Sequence, residues 1–180
     1  MKSKEEKLIH AILHRGSQEA ADKLVRAYYD EIYVYVYRQV GNKEDAMDLT
    51  QEGFIAALQS LHTYDAKKSG FRTWLYHVVS YKVIDARRKV RLDMLPIEEV
   101  EVSDMTDFTE NITNQALLHK IEEYLSAFEP DVQEIFRLHL YGEQSFPEIA
   151  AATGQPEAKI KAQYYRLLQK VRKEFSNYDE

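Results

Sequence analysis

The chain contains no cysteine in its 180 residues. Disulfides and thiolate metal sites are thereby excluded, and the composition suits a reducing compartment. Tryptophan occurs once, proline four times and glycine six times, which excludes collagen-like and glycine- or proline-rich low-complexity chains. No run of about 18 apolar residues is present, so no segment is expected to insert into a membrane. The opening MKSKEEKLIH lacks the apolar core and small-residue cleavage site of a secretory signal. A cytoplasmic location is expected. There is no glycine-rich phosphate cradle, and His10 with His14, the nearest approach to a metal pair, lacks an evident carboxylate partner. The expectation is a protein that is not an enzyme and uses neither metal nor cofactor.

What the chain does have is charge, unevenly spread. Hydrophobic residues make up 44% and charged residues 30%, a globular balance. The net charge of −6 argues against a nucleic-acid partner, but its distribution argues for one. Ala66–Arg91 holds eight basic residues and one acid; Gly154–Lys173 holds six and one. Between them, Leu92–Leu118 has seven acids and no Lys or Arg. Its segment LDMLPIEEVEVSDMTDFTEN, Leu92–Asn111, has no sustained period. At roughly 20 residues it is long for a connection inside one compact domain. The predicted fold class is all-α: two helical domains, 1–91 and 112–180, joined by the acidic linker 92–111.

Apolar spacing predicts a helix over Glu5–His14, through Leu8, Ile9, Ile12 and Leu13. Ser17 can cap the next helix and Gly41 can end it. Within it, EIYVYVYRQV alternates as a strand would, but its flanks favour helix. Asn42 with Asp45 resembles a capping box and opens Lys43–Leu61, with Ala46, Leu49, Phe54, Leu58 and Leu61 on one stripe. HTYDAKKSG reads as a loop. In the C-terminal part, Ala116–Phe128 and Asp131–Tyr141 are amphipathic, with Pro130 at a helix start. Ser145 with Glu148 makes a capping box, Thr153-Gly154 a turn, and Pro156 opens a basic helix. A short helix, a glycine turn and a longer cationic helix form a helix-turn-helix pattern.

Two helices carry the chemistry. In the last one, Ile160, Tyr164, Leu167, Val171 and Phe175 share an apolar face, and Lys159, Gln163, Arg166, Lys170 and Lys173 share another. Such a helix either exposes an ordinary solvated face or lies in a major groove, with Gln163 on an adenine edge and the cations on phosphates. In FRTWLYHVVSYKVIDARRKVR, Phe71–Arg91, one stripe is Phe71, Leu75, Val79, Val83, Ala86 and Val90. Trp74, His77, Tyr81, Ile84 and Arg88 lie on nearly the opposite side. Either these rings pack against Lys43–Leu61, or they stack on unpaired bases, an interaction worth roughly 1–3 kcal/mol per base.

In this order, DLTQEGFIAAL (Asp48–Leu58), SGFRTWLYHVV (Ser69–Val79) and the closing helix-turn-helix resemble an extracytoplasmic-function (ECF) sigma factor of bacterial RNA polymerase. The resemblance implies a region 2-like helical bundle and a region 4-like helix-turn-helix domain. It implies that Asp45, Asp48, Gln51, Glu52 and Phe54 dock on the clamp helices of the polymerase large subunit, and that the flap region is a second contact. It further implies that Lys67, Lys68, Arg72, Trp74, His77, Tyr81, Arg87 and Arg88 read and melt the minus-ten element, with bases flipped from the duplex. Lys159, Lys161, Gln163, Arg166 and Lys170 would then hold the minus-35 element. Promoter DNA, core polymerase and an anti-sigma factor are the implied partners. Where the family often has Asn this chain has Tyr81, and IKAQYYRLL replaces V-K-S-R-L-x-R-A-R, so the promoter sequence does not carry over. The rival reading is a helix-turn-helix repressor or activator that binds duplex DNA independently of polymerase; it gives Asp48–Val79 no role.

Overall fold

The computed structural model describes residues 4–93 and 109–176, with side chains described for 4–89 and 116–176. Among these residues there are eight α-helices and no strand. The helices are α1 (Lys4–Arg15), α2 (Gln18–Val40), α3 (Lys43–Ser60), α4 (Phe71–Asp93), α5 (Thr109–Leu125), α6 (Pro130–Leu140), α7 (Phe146–Thr153) and α8 (Glu157–Glu174). A 3-10 turn, Leu61–Thr63, extends α3. Helix α4 runs two residues into the predicted 92–111 linker and α5 starts at its far end. The middle of that segment lies outside the described residues.

Local chemistry sets the helix ends. The Ser17 hydroxyl accepts from the Ala20 N–H at 3.2 Å, and α2 closes at Gly41. The ambiguous EIYVYVYRQV is helical because Ile32, Tyr35, Val36 and Gln39, spaced i, i+3, i+4, i+7, are the buried residues. Asn42 Oδ1 accepts from the Asp45 N–H at 2.8 Å. The reciprocal bond differs from a capping box: the Asn42 side-chain amide donates to the Asp45 carboxylate. Helices α1 to α4 pack in sequence, α1 on α2, α2 on α3 and α3 on α4. Leu75, Val79 and Val83 of α4 are fully buried at their centre, each burial contributing about 1.5–3 kcal/mol.

The closing motif forms as its residues predict. Ser145 and Glu148 make a complete capping box, and Gly154 ends α7 at φ 69°, the left-handed region that disfavours side chains. Ile160, Tyr164 and Leu167 bury one face of α8 against α6 and α7. We expect Ser145→Ala to cost about 1 kcal/mol, the usual effect of losing an N-cap, measured as a lower denaturant midpoint at unchanged slope.

The C-terminal helices do not stand apart from the N-terminal ones. Helix α4 packs on α6 and α7, and α5 meets α2. Helix α6 is consequently sandwiched between α4 and α8, and six consecutive residues, Gln133–Leu138, are buried. At the turn after α6, a Cβ on Gly142 would lie 2.8 Å from the Leu138 carbonyl and 3.0 Å from the Tyr76 ring. Glycine there lets α4 approach.

Candidate nucleic-acid interface

On α3, Asp45, Asp48, Gln51 and Glu52 are exposed together. Phe54 is not part of this surface: it is buried and stacks on Tyr29 with ring centroids 6.1 Å apart. Met47 and Ile55, which sequence reasoning missed, are exposed in its place. Their spacing with Gln51, i, i+4, i+8, places them on the same strip as the acids. The signal was there in apolar residues that fall outside the α3 stripe.

On α4 the predicted face divides. Trp74, expected off the core, is only 8% exposed and belongs to the core cluster. Tyr64 and Phe71 surround it at 5.5 and 5.7 Å between centroids. The reason is the 3-10 turn and loop after α3, which fold Tyr64 back over the start of α4 and close that side. Ile84 is buried as well. Arg72 is bound within the N-terminal helices: its Nε donates to Glu31 at 3.1 Å and its guanidinium lies 4.6 Å over the Tyr76 ring. Lys67, Lys68 and Arg88 are exposed.

His77, Tyr81 and Arg87 face the C-terminal helices. His77 Nδ1 is hydrogen-bonded to the Glu134 carboxylate of α6. The Tyr81 hydroxyl donates to Asp131 at 3.0 Å. Burial pulls the His77 ring towards neutrality, but the hydrogen bond and charge of Glu134, with Asp131 behind it, hold the imidazole above its ordinary value. Arg87 donates through Nη2 to the Gln39 carbonyl at 2.7 Å. Beneath it lies a buried polar network that sequence reasoning did not find. Arg137 of α6, fully buried, donates to Gln39 Oε1 at 3.0 Å, and its Nη1 sits 2.7 Å from Glu122 Oε2 of α5. The Tyr141 hydroxyl donates to the other Glu122 oxygen at 3.1 Å.

On α8, Lys159, Lys161, Arg166 and Lys170 are exposed cations. Lys161 pairs with Glu157 at 2.6 Å and Lys170 lies over the Phe128 ring. Gln163 is half-buried and its Oε1 is sealed from solvent without a hydrogen-bond partner, so its carbonyl is not presented outward. Tyr165 is, at 52% exposed, between exposed Ala162 and Arg166. Among the described residues no group of three or more His, Cys, Asp or Glu gathers as metal ligands would, and no helix is long and apolar enough to cross a membrane.

Two family models match this architecture in order: sigma-70 region 2 over residues 24–92, and sigma-70 region 4 over 118–171. The first spans α2 to α4 and the second α5 to α8. The chain is 31% identical over 160 residues to the ECF RNA polymerase sigma factor BldN of Streptomyces coelicolor, covering 85% of this chain and 59% of that one. It is 26% identical over 171 residues to the ECF RNA polymerase sigma factor SigW of Bacillus subtilis, covering 89% and 91%. The chain belongs to the ECF RNA polymerase sigma factors. A solved structure of CnrH in complex with the cytosolic domain of CnrY shares its fold, with a TM-score of 0.59 at 20% identity, over 96% of this chain and 98% of that one. In this sigma factor the region 4 helix α6 lies across the region 2 helix α4, and both matched regions supply residues to the polar network. The reading as a polymerase-independent repressor or activator is not favoured, because it leaves the region 2 match unused.

Proposed function

We propose that this sigma factor directs core RNA polymerase to specific promoters, with three surfaces in separate roles. The exposed acids Asp45, Asp48 and Glu52, with Gln51 and the neighbouring Met47 and Ile55, dock on the clamp helices of the large subunit. The region 4 helices contact the flap region. The loop cations Lys67 and Lys68 and the α4 residues Arg72, His77, Tyr81, Arg87 and Arg88 hold the opened minus-ten strand. Trp74 supports that surface from beneath rather than stacking on a base. Helix α8 enters the minus-35 major groove with Lys159, Lys161, Arg166 and Lys170 near phosphates, and Tyr165 rather than Gln163 towards the bases. The functional division is 1–91 and 112–180, with 92–111 as linker.

The observation that supports this most is the pairing in one chain of region 2 and region 4 matches with an exposed acidic strip on α3 and an exposed cationic face on α8. The chemistry of nucleotide addition belongs to the polymerase, and no residue of this chain is assigned to catalysis. CnrH was solved with the cytosolic domain of CnrY; an anti-sigma factor that covers the polymerase and DNA surfaces is the corresponding proposed partner here. The cytoplasm is the proposed location.

Transcription of fragmented genomic DNA by core polymerase with and without the chain tests this reading. Sigma-dependent start sites sharing two spaced elements are expected. The double variant Asp48→Lys, Glu52→Lys is expected to weaken core binding at least about tenfold, since two attractive contacts become repulsive. Unchanged core affinity would remove the docking assignment. Absence of any start site dependent on the chain would remove the function.

A further inference from the structure

We propose that Asp65 is a positioning residue for the minus-ten strand: its carboxylate and carbonyl fold the loop between α3 and α4 into a preformed turn that presents Lys67 and Lys68. The inference rests on the assignment of those two lysines to the opened strand and adds the residue that holds them ready.

An acid is out of place on a surface that holds phosphates. Between Thr63 and Phe71 the chain reads YDAKKSG, and a carboxylate beside two lysines repels the anion they attract. The hydrogen bonds give it another task. Asp65 Oδ1 accepts from the Lys67 N–H at 2.9 Å. The Asp65 carbonyl accepts from the Lys68 N–H at 3.0 Å and from the Ser69 N–H at 3.4 Å. Three consecutive backbone donors close on one residue, as they do on the cap of a helix. Among the described residues positive φ is confined to Gly16, Gly41, Glu143 and Gly154, so no left-handed glycine turns this loop. Asp65 does.

Asp65 is half-buried, whereas Ala66, Lys67 and Lys68 are exposed at the tip. The ends of the loop are fixed independently of the turn. Tyr64 and Phe71, which flank it, meet edge to face with ring centroids 5.6 Å apart. Phe71 also meets Tyr28 of α2 at 5.3 Å, and the Tyr28 hydroxyl donates to Glu5 of α1 at 3.0 Å. A loop pinned at both ends and turned by its own acid has little freedom left to lose when a strand binds, which is what preorganisation requires. Two roles for Asp65 then predict opposite signs. If it only adds negative charge, Asp65→Asn and Asp65→Ala both strengthen DNA binding, and equally. If it shapes the turn, Asp65→Asn keeps a side-chain oxygen for the Lys67 N–H and Asp65→Ala does not.

The test uses the full chain bound to core polymerase and a fluorescent promoter fragment from a chain-dependent start site, left unpaired across its minus-ten element. By anisotropy, Asp65→Ala is expected to bind about fivefold more weakly than wild type, the effect of losing a side-chain cap of typical strength. Asp65→Asn is expected to bind within about twofold of wild type, or more tightly. Since the chain has no cysteine, a nitroxide at Ala66→Cys reports the turn without background. Its spectrum in the free chain should sharpen when Asp65→Ala is added and keep its width with Asp65→Asn. Equal affinities for the Ala and Asn variants, or a label whose mobility Asp65→Ala leaves unchanged, would overturn the assignment. The double variant Lys67→Ala, Lys68→Ala tests the reading beneath it. In that background Asp65→Ala should have less than about twofold further effect, because the groups it positions are gone; a full fivefold further loss would show that it acts elsewhere. A lysine double variant that binds like wild type removes the loop from the strand-holding surface, and Asp65 with it. A weakened lysine variant alongside matching Ala and Asn variants removes the role of Asp65 alone.

Discussion

Replacing Arg137 by Ala should lower the stability of this sigma factor by about 3–5 kcal/mol, the range for breaking a buried ion pair by removing one partner. The magnitude follows from what is left behind. Glu122 is 1% exposed, with one oxygen satisfied by Tyr141 and the other facing the vacated guanidinium. Arg87 is the next cation, but its Nε lies 3.9 Å from that oxygen. The Gln39 carboxamide oxygen loses its donor at the same time. For a chain of this size the loss corresponds to a melting temperature lower by on the order of 10 °C. The companion variant separates pairing from packing: Arg137→Met with Glu122→Gln removes both charges, keeps bulk, and still offers Tyr141 an acceptor. It should recover at least about half of the lost stability, because replacing a buried pair by similar volume is often neutral. Calorimetry on the three proteins decides this. A single variant that melts within about 0.5 kcal/mol of wild type would mean that Glu122 finds water or Arg87 without difficulty.

Arg137 also marks where sequence reading runs out. The helix ends of the closing motif were legible because each is set by residues within four positions: Ser145 with Glu148, then Gly154. The same holds for Ser17 and Gly41. Face membership in α4 was legible too, since Leu75, Val79 and Val83 are all fully buried as their period requires. What periodicity leaves open is the identity of whatever covers a given face. In DVQEIFRLHL a single apolar stripe is expected of a surface helix, yet Gln133, Glu134 and Arg137 are as buried as Ile135 and Phe136. Two opposite neighbours, α4 and α8, cover them, and one of these belongs to the other matched region. Glu122 and Gln39 are likewise ordinary polar residues on amphipathic helices until Arg137 joins them, Gln39 from 98 positions away in sequence. Of the candidate residues, the acids of α3 and the cations of α8 are exposed, as their spacing predicts. Phe54 follows its apolar stripe into the core against Tyr29 rather than the docking surface, and Trp74, opposite the α4 stripe, is buried because Tyr64 covers that side.

That placement changes what Trp74 is expected to do. A ring that stacked on a flipped base would contribute to promoter opening and little to folding. A ring with 8% of its surface exposed, ringed by Tyr64 and Phe71 and continuous with the Tyr28 contact to Phe71, contributes mainly to folding. Trp74→Ala should therefore cost about 3–5 kcal/mol, through lost burial and the cavity it leaves. Trp74→Phe keeps an aromatic at the site and should cost appreciably less. Thermal unfolding gives the first readout, and permanganate reactivity of unpaired thymines in the polymerase–promoter complex gives the second. If burial is its role, promoter opening by Trp74→Phe stays near wild type, and the defect of Trp74→Ala is recovered on cooling towards its own range of stability. Tyr81→Ala, by contrast, should melt close to wild type, because Tyr81 is half-exposed and its hydroxyl bond to Asp131 lies at an exposed boundary. Its defect should appear in opening and persist at every temperature. Wild-type stability in Trp74→Ala together with failed opening would return that ring to the strand-holding surface. The loop carrying Tyr64 would then have to move aside when DNA binds.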